Sequence, residues 1–333
     1  MEAYASAFKT ARPGVAIVGA GAMGRALGLR FAECGYPIRG VVSRTRSKAD
    51  ALAFALGAPL ASDRLREVPA DAQLVALCVG DDELSDLAET LTGVPRSWQG
   101  SVVLHTSGAT TASVLDPLRE EGARVLSFHP LQTTTAQSEG AILADVTVGI
   151  EGPPAGVAAG IELAVGLGMR YLVVSAEAKP RYHLAAVMAS NLLVTLMGMV
   201  QEVFASINIG REETMTILEP LLRGTLDNLA SSSPEEALTG PVARGDVATI
   251  QAHGVALRKD LPHLVPAYAA LSVETVRLAV RAGTLPPEQA EDVLALLQRM
   301  VTTPLPGRAE GRTGPAHAAA PPPFQRPLVP VPS

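Results

Sequence analysis

The chain has 333 residues, enough for two ordinary domains, and 47% of them are apolar while only 4% are aromatic, so Leu, Val and Ala must fill a sizeable core. A formal net charge of −6 argues against broad nucleic-acid binding, which needs a basic face. The two cysteines, Cys34 and Cys78, read as reduced packing residues, and Met1 to Arg12 lacks the apolar run of a signal peptide, so a cytoplasmic protein is expected.

Residues 1–13 are expected to be a flexible lead-in. Val15-Ala16-Ile17-Val18 then runs directly into Gly19-Ala20-Gly21-Ala22-Met23-Gly24, and helix-forming apolar residues continue through Ala26, Leu27, Leu29, Phe31 and Ala32. That order is buried strand, tight turn, helix. In such a unit the first glycine allows the turn, the second lets a pyrophosphate approach the backbone, and the third lets helix and strand pack closely. The helix N-terminus offers free N–H groups and a positive dipole end to the phosphates. Ile38–Val42 reads as the second strand, and the end of that strand selects the cofactor. An acid there holds a ribose 2′-hydroxyl; a cation accommodates a 2′-phosphate. No acid occurs from Ile38 to Lys48, whereas Ser43, Arg44, Thr45, Arg46 and Lys48 bring cations and hydroxyls. NADP(H) is therefore the expected cofactor, with Arg44 best placed to grip the phosphate. The expected cofactor contacts are Gly19 to Gly24, Ser43, Arg44, Thr45 and, at the end of the third long strand, Val79.

Further strands are expected at Leu74–Val79, Ser101–His105, Arg124–Phe128, Ala144–Ile150 and Arg170–Val174, with helices between them. The alternation predicts a doubly wound sheet over residues 14–175, with ligands at the strands' carboxyl ends, where His105 and His129 both fall. From Glu177 to Val301 no strand pattern remains. Helical segments are expected over 178–207, 211–230, 246–257, 258–282 and 286–301, giving an all-α domain across 176–302. Within it, Leu184 to Val203 is apolar all round and is read as a buried helix at the heart of that domain rather than a membrane span, because Ser190, Asn191, Thr195 and Gln201 interrupt it. Residues 303–333, rich in Pro, Ala and Gly, are expected to be a disordered tail.

Four stretches carry residues suited to chemistry: His105-Thr106-Ser107-Gly108-Ala109, Phe128-His129-Pro130-Leu131-Gln132, His183 to Asn191, and Leu238 to Asp246 with His253 one helix later. A histidine near its free pKa can donate or accept a proton at neutral pH. Asn191 in so apolar a helix must be hydrogen-bonded, to a ligand or to a helix end. Arg244 suits a two-pronged contact with a carboxylate, or a salt bridge to Asp246, which is itself placed to cap the helix from Val247. The histidine spacing has no zinc signature, and no metal is expected.

The glycine start, the His105–Gly108 loop, the His129-Pro130 step, Asn191 in an Ala-rich helix and the Thr239–Asp246 loop occur in one order that resembles the "Rossmann-like plus domain of unknown function 2520" proteins, over about residues 14–300. These are distant relatives of deazaflavin-dependent NADP reductases, pyrroline-carboxylate reductase and 6-phosphogluconate dehydrogenase. The resemblance implies a doubly wound Rossmann domain followed by an all-α C-terminal domain that dimerises and helps bind substrate. Some members are thought to act as an alternative ketopantoate reductase. Hydroxyacid dehydrogenases place a helical Lys four residues before an Asn; here Asn191 fits the Asn, and Val187 stands in the Lys position. His183, one turn back on the same face, is a candidate replacement, with His129 and His105 as alternatives. Prephenate dehydrogenases carry a similar His-Pro step near substrate.

The resulting expectation is an NADP(H)-dependent oxidoreductase that passes hydride to a C=O or C=N carbon of a small carboxylate-bearing substrate. His129 or His183 would act as acid, Asn191 and Ser107 would orient the substrate, and Arg244 would grip its carboxylate. Two alternatives stand beside it: ketopantoate reduction, and an NADPH-sensing module without turnover, which the missing helical Lys favours.

Overall fold

In the computed structural model, residues 12–135 and 137–302 are described, so the expected N-terminal lead-in (all but its last two residues) and the expected C-terminal tail lie outside the described residues. The first strand, β1 (Val15–Val18), is wholly buried and leads through the glycine turn into α1 (Ala22–Glu33). There follow β2 (Ile38–Val42), α2 (Arg46–Leu56), the two-residue β3 (Ala61–Ser62), β4 (Leu74–Leu77), α3 (Leu84–Thr92), β5 (Val102–His105), α4 (Asp116–Glu120), β6 (Arg124–Pro130), β7 (Thr147–Glu151), α5 (Pro154–Gly166) and β8 (Arg170–Val173). The strands form one eight-stranded sheet in the order β3-β2-β1-β4-β5-β6-β7-β8. Every pairing is parallel except β6 with β7, which is antiparallel.

Alternation along each strand divides the core into two layers, because successive side chains point to opposite faces. Val15, Ile17, Leu74, Ala76, Leu104 and Phe128 pack under α1, α2 and α5. Ala16, Val18, Val75, Leu77, Val103 and Val125 pack against α3 and α4. Burial on both faces explains why these strands read as continuous apolar runs.

Sequence and structure differ at several boundaries. The strand expected over 74–79 ends at Leu77, and Cys78 is buried just beyond it. The strand expected from Ala144 begins at Thr147, because residues 140–143 form a 3-10 turn. β3 escapes a periodicity reading since two residues carry no period.

The chain separates into two compact units, one running to Leu193 and one from Val194. The first therefore includes α6 (Lys179–Ala189). The expected single helix over 178–207 is broken at Ser190, whose φ of −118° and ψ of −73° separate α6 from α7 (Asn191–Ala205). The second unit continues with α8 (Arg211–Ser231), α9 (Pro234–Ala237), α10 (Val247–Asp260), α11 (Val265–Arg281) and α12 (Pro287–Thr302). Its core comes from Ile250, Val276, Val293, Leu297 and Met300, on α10, α11 and α12.

The expectation of a buried apolar helix over Leu184–Val203 is overturned. By length and composition Lys179–Ala205 could cross a membrane, with mean hydropathy 1.7, yet none of that apolar window is buried. Val194 is 71% exposed, and Leu184, Met188 and Leu192 are also exposed. Apolar composition records a surface that favours being covered, without saying by what.

Candidate functional site

The glycine turn is built as its sequence requires. Gly19 has φ +102°, and a Cβ there would lie 2.2 Å from the Cys78 carbonyl oxygen. A Cβ on Gly24 would lie 1.9 Å from the carbonyl oxygen of Gly19, so the helix can approach the strand only without one. Around Gly21 the space is open: beyond its chain neighbours, a Cβ there would meet nothing within 4 Å. Gly21 is also the N-cap of α1, has no side-chain cap, and no acid occupies the first turn. The first-turn amides of Ala22, Met23 and Gly24 thus keep the unpaired N–H groups of a helix start, next to an open volume, which suits a phosphate.

That volume is a cleft of about 640 Å³, lined by Gly19, Ala20 and Gly21 from the turn, Ser43, Arg44, Thr45 and Lys48 after β2, and Val79 after β4. It opens at the carboxyl ends of β1, β2 and β4. Arg44 is 83% exposed and donates from Nη2 to Glu83 Oε1 at 2.9 Å. Asp63, Asp82, Glu83 and Asp86 also line the cleft, so its cationic rim faces an acidic one. The sequence reading missed these acids because they come from segments outside the second strand.

A second cleft of the same unit, about 550 Å³, is lined by His129 to Thr133, Leu172, Tyr182, His183 and residues 185–187 and 189–191. No Lys, Arg, Asp or Glu is among its lining residues. His129 Nδ1 and the Tyr182 hydroxyl are hydrogen-bonded at 2.9 Å, and the His129 and His183 rings lie edge to face with centroids 5.9 Å apart. Two glycines make room for this cluster. A Cβ on Gly108 would lie 2.5 Å from His183 Nδ1 and 2.8 Å from both Cε1 and Nε2 of His129. A Cβ on Gly149, the residue paired with His129 across β6 and β7, would lie 2.2 Å from the Tyr182 hydroxyl. His183 Nδ1 is buried without a hydrogen-bond partner.

Burial, the neighbouring His183 and the Lys179 cation push the His129 pKa down to about 4, against an opposing pull from Asp81. Burial pushes the Tyr182 hydroxyl up to about 12. At neutral pH the pair is a neutral imidazole bonded to a protonated phenol.

The structure brings His129, His183 and Asn191 to this one cleft, and adds Tyr182, which the sequence reading missed. Its signal was present in the adjacent Tyr182-His183 and in Gly149 inside a buried strand. His105 and Ser107 line neither cleft. His105 is fully buried; its Nδ1 accepts the Ser107 N–H at 3.2 Å, leaving Nε2 to donate to the Thr111 carbonyl at 3.3 Å. Burial and the Lys179 charge push its pKa down to about 3. Ser107 Oγ accepts the amides of Ala109 and Thr110, as a turn-forming serine does. Arg244 lies exposed in the second unit, in the turn before α10. Asp246 caps α10 as expected, accepting from the Thr249 amide at 3.1 Å and its hydroxyl at 2.7 Å. In the same unit His253 Nδ1 pairs with the Tyr268 hydroxyl at 2.9 Å. Among the described residues no group of three or more His, Cys, Asp or Glu could hold a metal.

Comparison with known proteins bears on the fold. Among curated proteins none matches the chain. Solved structures do. A Bacteroides fragilis protein provisionally named an NADP oxidoreductase is 24% identical, with TM-score 0.68, over 79% of this chain and 98% of that one. An imine reductase from Myxococcus stipitatus in complex with NADP+ is 21% identical, with TM-score 0.57, over 87% and 100%. A pyrroline-5-carboxylate reductase from Coxiella burnetii is 15% identical, with TM-score 0.55, over 85% and 99%. At these identities the likeness establishes the fold. Residues 2–130 match the family described as a Rossmann-like domain, and residues 146–275 match the domain of unknown function DUF2520. The chain belongs to the family that joins a Rossmann-like domain to a DUF2520 domain.

Proposed function

We propose that the protein is an NADP(H)-dependent oxidoreductase that reduces a C=O or C=N bond of a small molecule. The observation that carries this reading is the open space at Gly21, set at an uncapped helix start and flanked by Arg44 and Lys48. Gly19 to Gly24 would hold the pyrophosphate, and Ser43, Arg44 and Thr45 the 2′-phosphate, once Arg44 exchanges Glu83 for it. The bound dinucleotide supplies the hydride. The structural neighbours named as an NADP+-bound imine reductase and a pyrroline-5-carboxylate reductase support this chemistry.

This chain's own residues supply the proton and the orientation. Tyr182, protonated and hydrogen-bonded to the neutral His129 ring, is the donor at the second cleft, in place of the His129 acid that the sequence suggested, and His183 lines the same cleft. Asn191 orients the substrate, while His105 and Ser107 shape the loop that carries Gly108. The uncharged lining suits a neutral reacting group. The exposed apolar face of α7 and α8 supports a homodimer through the helical domain. Cys34 and Cys78, both unpaired, suit the cytoplasm.

The test is NADPH oxidation at 340 nm with a panel of keto acids and cyclic imines, ketopantoate included, for the wild type and Arg44→Asp. Turnover of one member, with NADPH lost selectively in the variant and NADH use retained, supports the reading. Turnover with unchanged cofactor preference in the variant refutes the assignment of Arg44. Tight NADPH binding with no turnover of any member favours a sensor.

A further inference from the structure

Lys179 is the one buried Lys or Arg among the described residues, 2% exposed, and none of the roles above uses it. Its Nζ donates to Ser127 Oγ and lies 3.5 Å from Glu151 Oε2. Ser127 Oγ donates in turn to the Ser107 carbonyl at 3.1 Å, and Glu151 Oε2 accepts the Ala112 amide at 2.7 Å. The two ends of the Gly108 loop are thus fastened to one buried ion pair.

The register makes this more than a local contact. Ser127 pairs with Glu151 across β6 and β7, and the next pair on the same face is His129 with Gly149. Lys179 meets the first pair. Tyr182, three residues later on the same side of α6, meets the second, and His183 follows at four. Two successive rungs of the sheet therefore seat two successive positions of one helix. The first rung is ionic and sealed; the second borders the cleft.

We propose that Lys179 is a positioning residue, whose pairing with Glu151 and Ser127 sets α6 and the Gly108 loop so that Tyr182 and His183 converge on His129. This rests on the reading of the cleft as a reductase site. A buried ion pair is a poor source of stability, since apolar groups of similar size often replace one at no loss, whereas removing a single partner leaves a buried charge. Stability and positioning can therefore be separated by removing both charges together.

The experiment compares the full-length wild type with Lys179→Met/Glu151→Gln, which keeps an acceptor for the Ala112 amide, and with Ser127→Ala, which keeps both charges. Folding, NADPH affinity, steady-state kinetics and the side-chain ¹⁵N spectra of the histidines are measured. The double variant is expected to fold, to bind NADPH within about twofold of wild type, and to lose kcat by roughly 30- to 100-fold, the cost of an ångström-scale misplacement. The ring resonances of His129 and His183 are expected to move. Ser127→Ala should change kcat and the spectra in the same direction by less. A folded double variant with wild-type kcat and an unchanged histidine spectrum overturns the proposal. If the double variant does not fold, wild-type kcat and spectra in Ser127→Ala overturn it. If the wild type turns over no substrate, the reductase reading fails, and the histidine spectra still decide whether Lys179 sets the cluster.

Discussion

Replacing His129 with Gln should remove a defined part of the first unit's acid sensitivity. The folded pKa of His129 lies at about 4, against an ordinary 6.5. Between those values the unfolded chain binds a proton that the folded chain refuses. The contribution is fully present above about pH 6.5 and is lost as the pH falls toward about 4. Integrating the linkage gives a loss of about 2 kcal/mol between pH 7 and pH 5 for this one imidazole. His105, depressed to about 3 by burial and Lys179, loses a similar amount over the same range and continues below it. The carboxylates titrate in both proteins, so the difference between wild type and variant isolates His129. The chain's single tryptophan, Trp98, is buried against α3 in the first unit, so its fluorescence reports that unit alone. With a urea m-value of about 2 kcal/mol/M, the wild-type midpoint should fall between pH 7 and pH 5 by about 1 M more than that of His129→Gln. Equal pH dependence in the two proteins refutes the claim that His129 is held neutral by burial.

Three further outcomes follow from the same geometry. Glu83→Gln frees Arg44 from its exposed ion pair, so NADPH affinity should rise by about two- to fivefold at low salt, the range such pairs span; a fall in affinity would count against the 2′-phosphate role of Arg44. Gly149→Ala places a Cβ on the Tyr182 hydroxyl and should cut kcat on the order of 100-fold while NADPH binding holds, and wild-type kcat in a folded variant would remove Tyr182 from the reaction. Val194→Asp with Leu221→Asp places charges on the apolar face of α7 and α8, where these residues are 71% and 66% exposed, and light scattering should then show a monomer in place of a dimer; an unchanged mass refutes association through that face.

The Rossmann half was legible because each layer left a periodic trace. β2 carries the bounds expected for it, Ile38–Val42, since a buried strand set between the first helix and the polar run from Ser43 punctuates the sequence clearly. The glycine turn was legible for a different reason: three close approaches tolerate no Cβ or need open space. The second cleft was only half legible. His129 and His183 stood out as titratable groups, but Tyr182 and Lys179 gain meaning from an antiparallel register that no local pattern encodes. The burial of Leu184–Val203 was misjudged because hydropathy does not specify the covering surface.

The Lys179–Glu151 pair also says where this unit can be cut. β1 lies between β2 and β4, so the glycine turn is complete once Cys78 has left the ribosome, early in synthesis. The histidine cluster closes only a hundred residues later, when the first turn of α6 arrives. A chain ended at residue 175, just past the last strand, would keep every strand of the sheet but lose Lys179, the cation of Glu151, and Tyr182, the partner of His129. The compact first unit runs to Leu193, with α6 inside it. A stable α/β fragment of this protein therefore has to borrow its last helix from the segment that leads into the helical half.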